Sequence, residues 1–157
     1  MIGFLQRVAH AGVAVDGEPI AAIERGLLVL VAAQRDDTRR EAERLLQRLL
    51  AYRVFADDQQ RMNRSLTDIG GDLLLVPQFT LAADTRHGNR PGFSHAAAPQ
   101  HARALLEYLH QRAVAAHAGA VAVGRFGADM QVSLVNDGPV SFWLEVPPAT
   151  AGAGSDT

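Results

Sequence analysis

The sequence predicts an α+β fold, with a mostly antiparallel sheet or pair of sheets carrying two packed helices. Three observations carry this expectation. Apolar residues recur at helical spacing in two segments, Ala42–Leu50 and Ala102–Ala113. Two continuous apolar runs, Leu27–Val31 and Leu73–Val76, read as strands covered on both faces. The order along the chain is strands, helix, strand, helix, strands, without an internal repeat or heptad array.

Ile2–Val8 alternates apolar and mixed positions, as a strand does. Val13–Ile20 reads as a hairpin, because Asp16-Gly17 supplies the positive-φ positions of a tight turn. Gly26 opens the first apolar run. Thr38-Arg39-Arg40-Glu41 is a capping box, and the helix behind it is expected from about Thr38 to Phe55. Leu45, Leu46 and Leu49 mark its inner face, with Arg and Glu outside. Asp57–Arg64 is polar, and Gly70-Gly71 break the chain before the second apolar run. Asp84–His95 has no periodicity and reads as a surface loop. Pro99 suits the first turn of the second helix, which is expected to stop near Gly119. Val121–Val123, Met130–Val135 and Val140–Val146 read as three more strands, with Asn136-Asp137-Gly138-Pro139 as the turn joining the last two. One domain over residues 1–147 accounts for this pattern. Residues 148–157, rich in Pro, Ala, Gly, Ser and Thr, are expected to be a disordered tail.

A chain of 157 residues, 48% hydrophobic and 20% charged, fits one globular domain with a substantial core. All 15 basic residues are Arg, and there is neither Lys nor Cys. Codon bias in a GC-rich genome is the simplest origin of the missing Lys. The two absences exclude disulfides, thiolate nucleophiles, Cys-ligated metals, Schiff bases and a P-loop lysine. Catalysis therefore falls to hydroxyls, carboxylates, imidazoles, Arg or the backbone. A net charge of −2 gives no global basic field, so any RNA contact is local. No targeting segment and no apolar stretch of about 20 residues is present, so a cytoplasmic location is expected.

The six His residues, His10, His87, His95, His101, His110 and His117, form no ligand motif, and His110 and His117 read as a solvated helix face. No metal or cofactor is assigned. Gly124–Asp129 lacks the third glycine and the strand–turn–helix context of a dinucleotide loop. Phe126 between two glycines reads either as a base-stacking side chain or as a strand-end core residue. Pro77-Gln78-Phe79-Thr80-Leu81 follows a buried strand, which places an amide and a hydroxyl at its end. Gly138-Pro139 interrupts an apparent hairpin and is a candidate cis bond.

Together these segments resemble the D-aminoacyl-tRNA deacylase family. The resemblance covers the chain from the first strand to about Val146. It is carried by Gln6-Arg7-Val8, Arg25–Val31, Met62–Leu66, Gln78-Phe79-Thr80-Leu81, Asp84–Pro91 and Asn136–Val140. It implies a β/β/α layered fold and an editing enzyme that hydrolyses the ester between a D-amino acid, or glycine on tRNA(Ala), and the tRNA 3′ end. It further implies a homodimer in which Gly138-Pro139 of one subunit enters the site of the other. Carbonyls of a Gly-cisPro turn would accept hydrogen bonds from the substrate ammonium and leave no room for an L side chain. Gln78, Phe79 and Thr80 would lie beside the scissile ester, with their backbone N–H groups facing the oxyanion. Thr80 could be the nucleophile, but no His or Lys motif would activate it, so assistance by the ribose 2′-OH is preferred. Arg7 would brace the Gly138-Pro139 turn, Phe126 would stack on the terminal adenine, and Arg86 and Arg90 could supply local positive charge.

Three positions depart from the family pattern: Pro77 replaces Ser, Ser141 replaces Thr and Gly92 replaces Ser. Pro77 has neither a hydroxyl nor an N–H, so neither can be required there. It motivates one competing reading, a catalytically weakened relative that binds charged tRNA or D-amino acids. A hydrolase of another small ester is the third.

Overall fold

The computed structural model describes residues 1–149, so the tail beyond Ala149 lies outside the described residues. Its axis is β1 (Ile2–Val15), a strand of 14 residues that runs past the expected end at Val8. Asp16 and Gly17, at φ 50° and 79°, turn the chain into β2 (Glu18–Ile23). β3 (Gly26–Ala32) then pairs antiparallel with the first half of β1, from Ile2↔Ala32 to Val8↔Gly26, and β2 occupies the same edge further along.

Thr38 caps α1 (Arg39–Ala51) with the expected capping box. The helix stops four residues short of Phe55. Tyr52 turns extended at φ −69°, ψ 124°, which carries Val54 and Phe55, each 1% exposed, into the core instead of continuing the spiral. Phe55–Ala56 (β4) and Met62–Arg64 (β5) form a small ribbon, the second strand lying inside the segment read as merely polar. A one-turn helix, α2 (Leu66–Ile69), ends on Gly70 in the left-handed region. β6 (Asp72–Pro77) pairs parallel with β3, and β7 (Val121–Val123) pairs parallel with β6, so the sheet is mixed. Between them runs α3 (Pro99–Ala116), with Pro99 in its first turn.

The two apolar runs behave as strands covered on both faces. Leu27, Val29, Val31, Leu73 and Leu75 point to α1 and α3, against Leu45, Leu49, Leu105 and Leu109. Leu28, Leu74 and Val76 point the other way, to Val8, Ala11 and Val13 of β1 and Ile23 of β2, which fold over that face. The result is two β layers with the helices on one side. At the crossing of β3 and β6 a Cβ on Gly26 would lie 1.9 Å from the Asp72 carbonyl oxygen, so only glycine admits this approach.

The largest departure from the sequence expectation is at the C-terminal end. β8 (Gln131–Glu145) is one strand, not two strands joined by a hairpin turn. Both halves pair antiparallel with β1 in the same direction, from Ala14↔Gln131 to Ile2↔Glu145. Between Val8↔Asn136 and Gln6↔Ser141 the ladder advances two residues on β1 and five on β8. Asp137, Gly138, Pro139 and Val140 are therefore extruded as a large bulge. His117 also differs from expectation. It caps the end of α3, is 7% exposed, and places Nε2 2.6 Å from the Gly71 carbonyl oxygen.

Candidate active site

β6 delivers the first group of candidate residues. The amide of Gln78 donates to the Val31 carbonyl at 2.8 Å, the last rung between β3 and β6. The chain then tightens into a 3-10 turn over Phe79–Ala82, in which the amides of Leu81 and Ala83 donate to Gln78 and Thr80. The first N–H groups of a helical turn have no carbonyl behind them. Among the described residues, the amides of Phe79 and Thr80 have no protein hydrogen bond. Gln78 corrects the sequence expectation, because its N–H is spent in the sheet and is not free for an oxyanion. Its side-chain amide instead donates to Thr80 Oγ1.

Pro77 fits this corner without cost to the ladder. Along β6 the amide of Leu73 faces β7, donating to Ala120 at 2.8 Å, and Gln78 faces β3, so residue 77 faces β7 by alternation. The β6/β7 register ends at Leu75↔Val123. A donor at position 77 would find no rung there, which is where proline is tolerated.

Beside the turn opens a cavity of about 450 Å³, mostly apolar, lined among others by Gln78, Phe79, Leu106, Phe126, Met130 and Val132. Phe126 is half-buried: its ring packs on the main core, forms part of the cavity wall, and lies 5.2 Å from the Arg103 guanidinium carbon. Phe126 thus has the packing role of a strand-end core residue and also lines the cavity. The loop that carries it is held by Met130 Sδ, 3.3 Å from the Arg125 amide.

Arg7, Gly138 and Pro139 are brought together elsewhere. Arg7 donates from Nε to the Asp137 carbonyl at 3.0 Å and from Nη1 to the Val54 carbonyl at 2.7 Å, with the Asp137 carboxylate at 3.3 Å. Asn136 closes the bulge from inside, accepting the Val140 amide at 3.0 Å and donating to Ser141 Oγ at 2.9 Å. The Gly138–Pro139 bond is cis, and Gly138 has φ +134°. None of these three residues lines the cavity. In the sheet, Arg7 aligns with Leu27 and then Leu73, whereas Gln78 follows Pro77 at the far end of β6. Strand spacing and rise put the bulge and the 3-10 turn roughly 20 Å apart within one protomer.

The loop Asp84–His95 borders the 3-10 turn. Asp84 and Gly92 exchange two backbone hydrogen bonds, of 2.7 and 3.0 Å, that clasp its base. The Arg86 side chain and amide both donate to the Asp84 carboxylate, at 2.7 to 3.1 Å, and hold that carboxyl well below the usual range. The stability this pairing adds is therefore fully present above the ordinary carboxylate value, near 3.9, and is lost as pH falls through the lower folded value. An NMR titration should show the Asp84 carboxyl still ionised at pH 3. A midpoint near 4 would contradict the clasp. Arg86 is thus engaged, while Arg90 has no carboxylate partner among the described residues. No three His, Cys, Asp or Glu side chains gather as a metal site among those residues, and no helix is long and apolar enough to cross a membrane.

A cavity at the end of a buried strand, beside a turn with two free backbone amides and without an activated side-chain nucleophile among the described residues, suits hydrolytic chemistry directed by the backbone. Comparison with known proteins defines the class as hydrolases that edit aminoacyl-tRNA. The family model for D-Tyr-tRNA(Tyr) deacylase matches residues 4–145. A D-aminoacyl-tRNA deacylase of Herminiimonas arsenicoxydans is 61% identical over 95% of this chain and 99% of its own. That of Stutzerimonas stutzeri is 62% identical over 92% and 99%. Among solved structures, a c-Myc DNA unwinding element binding protein superposes with TM-score 0.89 at 36% identity, over 94% of this chain and 99% of its own. A probable eukaryotic D-amino acid tRNA deacylase, 18% identical with TM-score 0.78, shares the fold over 92% of this chain and 98% of its own. The chain belongs to the D-aminoacyl-tRNA deacylase family, and it is an enzyme of the hydrolase class.

The sequence reading did not single out Met130 or Val54 as parts of these sites.

Proposed function

We propose that the protein cleaves the ester between a D-amino acid, or glycine on tRNA(Ala), and the 3′-terminal adenosine of tRNA, acting in the cytoplasm as a homodimer. The observation that carries this reading is the pair of unpartnered amides, Phe79 and Thr80, in a 3-10 turn whose first residue, Phe79, lines the apolar cavity. The adenine would enter the cavity against Phe126, which sets the ester carbonyl over the 3-10 turn. Water adds to the carbonyl carbon, and the two amides take the developing negative charge on its oxygen. The bond to the 3′ oxygen then breaks, that oxygen takes a proton, and the free amino acid leaves. The Thr80 hydroxyl accepts from Gln78 and, among the described residues, has no basic partner to take its proton, which argues against a nucleophilic role. The neighbouring 2′-OH is the better-placed group to assist the water.

The distance between bulge and turn supports a site completed by a second copy. Among the described residues β8 has an open edge, and Val135 and Trp143 on it are 47% and 50% exposed. Exposed Gly138 and Pro139 project from the same strand, braced by Arg7 and Asn136. Set into the partner's cavity mouth, that backbone would receive the substrate ammonium and collide with an L side chain. A D side chain would point away, and glycine would have none to exclude.

The deciding assay compares D-Tyr-tRNA with L-Tyr-tRNA. D-selective hydrolysis is expected, with Thr80→Ala within about tenfold of wild type because the amide remains. Loss of an oxyanion donor by contrast costs about 10²–10³-fold. No D-selective turnover would overturn the reading and leave a protein that only binds charged tRNA.

A further inference from the structure

Phe79 lines the cavity yet stays 57% exposed, and its ring meets that of Phe93, itself 40% exposed, at 5.1 Å between centroids with the planes tilted by 55°. Two exposed aromatic rings in contact at the rim of a cavity form an apolar step that water covers poorly. The step is held in place from both sides. The Asp84–Gly92 clasp ends one residue before Phe93, while Arg35 donates from its amide to His95 at 2.9 Å and from its side chain to the Ser94 carbonyl. Arg90, exposed and without a carboxylate partner among the described residues, lies three residues before Phe93 on the same loop.

We infer that the Phe79–Phe93 step is a second nucleotide subsite, which stacks the unpaired pyrimidine immediately 5′ of the terminal adenosine and offers its phosphate to Arg90. This rests on the proposed reading of the cavity and extends it by one nucleotide. Continuity supports it, because Phe79 is both cavity wall and half of the step. Chemistry supports it as well. Single-stranded nucleic acid is held by aromatic faces next to cationic side chains, and rigid rings lose little freedom on binding. The terminal cytidine–cytidine–adenosine of a tRNA supplies such a pyrimidine in every substrate, so this grip is independent of tRNA identity.

The test uses two substrates, D-Tyr-tRNA and the minimal ester D-Tyr-adenosine, with wild type, Phe93→Ala and Phe93→Tyr. Phe93→Ala should lower kcat/KM on the tRNA about tenfold and leave the minimal ester unchanged. Phe93→Tyr, which keeps the ring, should restore the tRNA value. Binding of uncharged CCA trinucleotide against adenosine, read by fluorescence, should lose the same factor in Phe93→Ala. Equal losses on both substrates, or none, would overturn the subsite. So would a monomer in sedimentation of Phe93→Ala, since that assigns the step to a second copy. The two readings fail separately. Wild type that hydrolyses D-Tyr-adenosine but shows no preference for CCA loses only the subsite. Wild type that prefers CCA through Phe93 but hydrolyses neither ester loses only the catalytic reading.

Discussion

Gly138→Ala is expected to lower D-Tyr-tRNA hydrolysis by about 10²-fold or more with the fold intact, the scale of a misplacement near 1 Å at a reacting centre. The reason is local. At φ +134° an L side chain is strained, and its Cβ would meet Val140 Cγ2 at 2.7 Å and the Arg7 guanidinium at 3.3 Å. The bulge must shift, and of its residues Val140 is packed, only partly buried, against the core. Thr80→Pro should cost a similar factor by removing one free amide from the opposite component of the site. Mixing the two variants then tests the cross-subunit arrangement. In a heterodimer, one site combines an intact turn from one chain with an intact bulge from the other. Random exchange at equal amounts makes half the dimers mixed, with one working site each, so about a quarter of wild-type activity should return. Activity that stays at the level of the separate variants, with exchange demonstrated by mass, would sink the shared site.

Much of the scaffold that supports this site was legible in the sequence, because its signals are local. The capping box of Thr38 and Glu41, the Asp16-Gly17 turn and the two apolar runs each depend on a few neighbouring residues. The resemblance to a known family supplied the site candidates, and the structure sorts them into two groups, Gln78–Thr80 with Phe126 and Arg7 with Gly138-Pro139. What was not legible depends on distant partners. Asn-Asp-Gly-Pro is turn chemistry in either case; only the pairing of both flanks with β1 makes it a bulge in one strand. The end of α1 is set by burial of Val54 and Phe55 and not by a breaking residue. Likewise the loss of Gln78 as an oxyanion donor follows from the Val31 carbonyl, 47 residues earlier in the chain.

Asp37→Ala should be the most destabilising single change in the protein outside the apolar core. The Met1 ammonium and the Asp37 carboxylate pair at 2.8 Å, and both side chains are fully buried. The ammonium also donates to the Val146 carbonyl at 2.5 Å and to Gln34 Oε1 at 3.2 Å, and Asp37 Oδ2 accepts the Gln34 amide at 2.6 Å. This cluster ties Met1, just ahead of β1, to the chain leaving β8 and to the turn leading into α1. Removing the carboxylate leaves a positive charge in the interior, a loss of about 3–5 kcal/mol in comparable buried pairs. For a chain of this size that lowers Tm by about 10 °C. Asp37→Asn keeps an acceptor for the Gln34 amide but not the charge, so it should fall between wild type and Asp37→Ala. Urea unfolding of the three proteins gives the order directly. If Asp37→Ala lies within about 1 kcal/mol of wild type, the buried pair contributes no net stability, and the carbonyl of Val146 with Gln34 suffices to hold the ammonium.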